Sequence, residues 1–84
     1  MDGQKLKVLV EAGALKAVRI IGNGSTLYVE GETKNGSFSV TTLDGRPKTW
    51  RTIDAAAKWI RDLGCASIDL ELQGWQPDQR QLPL

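Results

Sequence analysis

No histidine occurs anywhere in the 84 residues. That removes the commonest general base, the commonest metal ligand and the usual partner of a nucleophilic serine or cysteine. The single cysteine, Cys65, cannot close an internal disulfide, and without histidine it cannot complete a zinc site of the usual nitrogen and sulfur ligands within one chain. No apolar run approaches the roughly 20 residues that span a bilayer, and the opening Met1-Asp2-Gly3-Gln4-Lys5 lacks the apolar stretch of a signal peptide. The expectation is a cytoplasmic protein that makes no membrane contact. An excess of either charge is also missing. Eleven Lys and Arg against ten Asp and Glu leave +1, too balanced for a surface that traps nucleic acid all over. Any anion site has to be a local patch.

The chain is 40% apolar and 25% charged, the composition of an ordinary globular domain rather than a disordered one. At this length it buries only about 60 to 65% of the surface its unfolded form exposes. The core must be thin, and a homodimer would be one source of additional stability.

Hydrophobic spacing sets out the elements. Residues 2–14 can be read two ways. As a helix, Asp2 caps it, Leu6, Leu9 and Val10 share a face, and Gly13 ends it; as a strand, Leu6, Val8 and Val10 alternate with Lys5 and Lys7. The helix is the preferred reading. Residues 15–21 form a strand, and Gly22-Asn23-Gly24 supplies a hairpin turn. Residues 26–32 return with Leu27 and Val29 inward and Tyr28, Glu30 and Glu32 outward. Asn35-Gly36 makes the second hairpin. Residues 37–43 then place Phe38 and Val40 inward, and Asp44-Gly45-Arg46-Pro47 turns the chain. A short fourth strand, 48–51, would point Trp50 inward.

Thr52 caps the clearest helix, whose apolar face is Ile53, Ala56, Ala57, Ile60 and Leu63, and Gly64 fits its left-handed end. Residues 66–72 form the last strand, with Ile68, Leu70 and Leu72 toward the core. Beyond Gln73 the chain is polar and broken by proline, a mobile tail unless Trp75 docks. The predicted fold is α+β: an antiparallel meander of three to four strands plus a C-terminal strand, packed against one main helix (52–64), with a short N-terminal helix. Its order is α-β-β-β-(β)-α-β, with one domain over 1–73 and a tail over 74–84.

Candidate chemistry is sparse. Glu30 with Glu32 and Asp69 with Glu71 sit on outward strand faces, where charged side chains are ordinarily just solvated, and nothing in the pattern supplies the burial or pocket that acid chemistry needs. Gly22-Asn23-Gly24-Ser25 precedes a strand, whereas phosphate-cradling loops open a helix. Cys65 follows a helix C-terminus, the wrong end of the dipole for a thiolate. No catalytic residue, metal or cofactor is expected, and the chain reads as a non-enzyme. The stretch from Arg46 to Arg61 differs. It holds Arg46, Lys48, Arg51, Lys58 and Arg61 with Trp50 and Trp59 between them, a cation and aromatic mixture suited to nucleic-acid backbones and bases. The plainer reading makes Trp50 core, Trp59 a border of the helix face and the cations its wet side.

The stretch Trp50-Arg51-Thr52-Ile53-Asp54-Ala55-Ala56-Ala57-Lys58-Trp59-Ile60-Arg61-Asp62-Leu63-Gly64, followed by Ile68-Asp69-Leu70, resembles small accessory proteins encoded on plasmids and integrative elements. This is the ParC-like partition-associated group, distinct from the topoisomerase subunit of that name. Lys7-Val8-Leu9-Val10-Glu11-Ala12-Gly13-Ala14 and Gly74-Trp75-Gln76-Pro77 are similar to that group as well. The resemblance implies a helper of plasmid or element maintenance acting beside partition proteins, and it brings no site residues with it.

Two functions follow as expectations. The first is an accessory protein-binding module that uses a sheet edge or the outer face of the meander, with Trp75 as an exposed anchor, since tryptophan often carries interface energy. The second is a DNA-binding module whose three-stranded sheet enters the major groove, with Arg46, Lys48 and Arg51 against phosphates.

Overall fold

The computed structural model describes residues 1–76. Of the two readings of residues 2–14, the helix is the one found. The Asp2 side chain accepts the Lys5 amide at 2.9 Å, and α1 runs Gly3–Glu11. Its Leu6 is fully buried, Leu9 and Val10 are half-buried, and the turn beyond it contains Gly13.

The strands β1 (Ala17–Asn23) and β2 (Thr26–Thr33) pair antiparallel, with Ile20 opposite Val29 and Gly22 opposite Leu27. β3 (Gly36–Ser39) pairs antiparallel with residues 30–33 of β2. β4 (Thr49–Trp50) pairs with Leu27 and Tyr28 of that same strand. β3 and β4 therefore lie in line along one edge of β2, separated by an excursion of the chain. The third strand is four residues shorter at its end than the expected 37–43. Past Val40 the backbone bonds leave the sheet, and the Thr41 amide goes to the Met1 carbonyl at 2.7 Å.

Thr52 caps α2 (Ile53–Asp62), its hydroxyl accepting the Ala55 amide at 3.1 Å, and Gly64 at φ 108° takes the left-handed position after it. Ala56 and Ile60 point into the core beside Val18, Ile20, Leu27 and Val29. Small alanines let the helix axis approach the sheet, and α2 packs over β1, β2 and β4. β5 (Asp69–Glu71) then joins parallel to β1, giving the order β3-β2-β1-β5. The α+β order matches the expectation.

Besides the short third strand, three particulars do not. The last strand is shorter than 66–72, and its expected core residues Leu70 and Leu72 are 45% and 40% exposed, because α2 stops short of β5. Ile68 alone of the three packs on the core. Gly22 is a strand residue rather than part of the turn. It leaves room for Trp75: a Cβ there would lie 2.1 Å from the Trp75 Cβ. Residues 74–76 are fastened to the β1–β2 turn, the Gly24 amide donating to the Gly74 carbonyl at 2.9 Å and the Gln76 amide to the Gly24 carbonyl at 2.6 Å. The rest of the expected tail, 77–84, lies outside the described residues.

Candidate functional site

The excursion between β3 and β4 is built by its own polar residues. The Thr42 hydroxyl donates to the Asp44 carboxylate. The Thr42 amide donates to the Arg46 carbonyl at 2.7 Å, and the Gly45 amide returns to the Thr42 carbonyl at 3.0 Å. The Thr42 hydroxyl, with smaller contributions from the Arg46 amide and guanidinium, holds the Asp44 carboxyl below its ordinary value of 3.8. Arg46 is spent inside this turn, its Nε 3.2 Å from Asp44. Leu43, at the tip, is 77% exposed.

The turn forms one wall of an open cleft of about 410 Å³. α1 forms a second wall with Gly3 and Lys7, and Trp59 of α2 with Leu63 just past its end forms the third. α1 reaches Trp59 because residue 3 is glycine: a Cβ there would lie 3.0 Å from the indole Cζ2. The N-terminal residues are tied down as well, the Met1 ammonium donating to the Ser39 carbonyl at 3.1 Å.

Lys48, just before β4, reaches over both indoles, its Nζ 5.4 Å from the Trp50 ring centroid and 5.8 Å from that of Trp59. The two rings lie 5.1 Å apart, tilted by 51°, within the range of a favourable aromatic pair. A cation over such faces gains about 0.5–1 kcal/mol at an exposed site, which favours this placement of Lys48. No carboxylate pairs with Lys48 or Lys7 among the described residues. The cleft thus offers two lysines, an indole face and an exposed leucine, and suits a segment that carries a carboxylate beside an apolar side chain.

Of the residues singled out by sequence, the fold gathers Lys48, Trp50 and Trp59. Lys58 pairs with Asp62 at 2.9 Å one turn along α2. Arg61 follows Trp59 by two residues, roughly 200° around the helix, so it faces the opposite flank. Arg51 is exposed just before the cap and does not line the cleft. Trp75 is not an exposed anchor. It packs against the core over Gly22, on the far side of Leu27 from Trp50, and its Nε1 is buried without an acceptor. Gly3, Lys7, Leu43 and Leu63 were missed. Only the exposed leucine at a turn tip carried a local sign, because the others join through tertiary contact.

The uncovered face of the sheet has a different character. Arg19 stands at its centre, Nη1 2.5 Å from Glu30 and Nη2 2.9 Å from Glu32. Asp69 lies beside Arg19 and Glu71 beside Ile21 in the register of β5. Four carboxylates against one guanidinium leave this face at −3. Burial raises the Cys65 thiol above its ordinary 9.0, which disfavours a thiolate. Among the described residues, no three or more metal-ligating side chains are gathered, and no helix is long and apolar enough to cross a membrane. No family model, curated protein or solved structure matches the chain.

Proposed function

We propose that the chain is a non-catalytic accessory binding module that grips a protein partner in the cleft between α1, the 41–48 excursion and α2. The resemblance in its α2 region further suggests that the partner is a plasmid or mobile-element partition protein. The observation that carries the reading is Lys48, held over Trp50 and Trp59 yet unpaired, on the wall of a cleft that also presents Lys7 and an exposed Leu43. Tryptophan is among the residue types that most often carry interface energy, and an unpaired cation beside it gives an acidic partner a charge to meet.

The test is binding of the full chain to purified partition proteins of the same genetic element, read by interferometry. Lys48→Glu and Leu43→Asp are expected to weaken capture about tenfold or more while leaving the circular dichroism spectrum unchanged. Absence of binding by the wild type, or equal binding by both variants, would count decisively against the reading.

The alternative, duplex DNA laid against the open face of the meander, also meets the carboxylates of β5 beside it, which bring the whole face to −3 and repel phosphates. Gel shifts at about 50 mM salt, where phosphate contacts are strongest, are expected to show no complex. A shifted band sensitive to Arg46, Lys48 or Arg51 would restore that alternative.

A further inference from the structure

A different surface, the free edge of β5, has properties that specify an occupant. β5 ends the sheet, and its outer side meets no other strand among the described residues. An edge of this kind presents unpaired backbone donors and acceptors ready for another strand. On the helix side of this edge Leu70, beside the buried Ile20, is 45% exposed, because α2 lies over β1, β2 and β4, and Leu72, one residue past the strand, is 40% exposed. On the opposite side stand Asp69 and Glu71. The one cation of that face, Arg19, is already engaged by Glu30 and Glu32, so the two edge carboxylates have no ion-pair partner among the described residues.

These charges exclude one occupant and select another. A second copy pairing through β5 must set residues of the same face opposite each other. In the antiparallel register centred on Leu70, each Asp69 would face a Glu71 of the other copy, and like charges directly opposite destabilise a strand pair. An incoming strand that alternates lysine or arginine with apolar residues satisfies both faces. Its cations meet Asp69 and Glu71, its apolar side chains cover Leu70 and Leu72, and its backbone completes the ladder. We propose that the β5 edge is a strand-addition site for an extended segment of another protein with alternating basic and apolar residues.

The probe is a labelled peptide of about seven residues, the length of an ordinary strand, alternating lysine with valine. Anisotropy titration of the full chain is expected to show saturable binding. A peptide alternating glutamate with valine, and a scrambled peptide of the lysine composition, are expected to bind about fivefold or more weakly. In the Asp69→Lys/Glu71→Lys chain the preference should invert toward the glutamate peptide. Chemical-shift changes should concentrate at residues 69–72, and Lys48→Glu should leave the titration unchanged, which separates this site from the cleft. A companion measurement uses Glu71→Lys alone. It replaces each like-charge pair of the self-paired register by opposite charges, and sedimentation should then detect dimers that the wild type does not form. No saturable peptide binding, equal binding of the scrambled peptide, an unchanged preference after charge reversal, or shifts confined to the cleft would each overturn the proposal.

Discussion

Trp75 shows how much rests on one side chain. Its Cβ occupies the space above Gly22, and the strand tolerates it only because residue 22 lacks a Cβ. Gly22→Ala should therefore cost about 1–3 kcal/mol, the usual range for overpacking, as measured by urea denaturation. With Trp75→Ala in the same chain the added cost should fall sharply, since the two residues act on one contact. From sequence, Gly22-Asn23-Gly24 looked like a unit of turn glycines, and nothing local distinguishes a turn glycine from one whose tryptophan partner lies about fifty residues away. Cys65 is a second case. Burial lifts its thiol above 9.0, so above that pH the unfolded chain ionises first. The contribution to stability is fully present below about pH 9.0 and declines as pH rises toward the folded value. Cys65→Ser should flatten the alkaline limb of a stability-against-pH curve. An unchanged limb would mean that the thiol is not shielded.

At the scale of elements, α2 was legible because its signals are local, whereas residues 2–14 carried the spacing of a helix and of a strand at once. Thr52 caps α2 by accepting the Ala55 amide, three residues away, and Thr52→Ala should cost about 1 kcal/mol, seen as a lower urea midpoint with an unchanged slope. A loss below about 0.3 kcal/mol would mean the cap hydroxyl is replaceable by water. Strand lengths were less legible, because a strand ends where its hydrogen bonds are diverted. Residues 41–43 continue a strand-like sequence, but the Thr41 amide is taken by Met1. Likewise, the alternation of Ile68, Leu70 and Leu72 is that of a half-buried strand, yet burial also requires a covering layer, and α2 does not extend over β5. Helical phase decided the candidate site in the same way. Trp59 and Arg61 are neighbours in sequence but lie on opposite flanks of α2, while Lys7 reaches the cleft from another element.

At the scale of the whole molecule, a net charge of +1 conceals a division: lysines beside indoles around the cleft, and carboxylates across the open sheet face. The sum of charges cannot report such a division, since the fold alone assigns each charge to a face. The same view separates what stabilises the protein from what lets it bind. A stability of about 0.05–0.15 kcal/mol per residue gives a chain of this length roughly 4–13 kcal/mol in total. Ile60 is fully buried between α2 and the sheet, and truncating such a side chain costs about 2–5 kcal/mol, a large fraction of that total. Ile60→Ala should thus show a markedly lower melting temperature and lose partner binding only in proportion to the fraction unfolded. Lys48→Glu removes a cation from an open cleft wall and should leave the melting temperature within a few degrees, as surface changes of about 0.5 kcal/mol do, while weakening capture about tenfold or more. The two variants, compared at a temperature where both are folded, distinguish a cleft that recognises a partner from a core that merely holds it in shape. If Ile60→Ala, still folded, lost as much binding as Lys48→Glu, the recognition surface would have to include the core-facing side of α2.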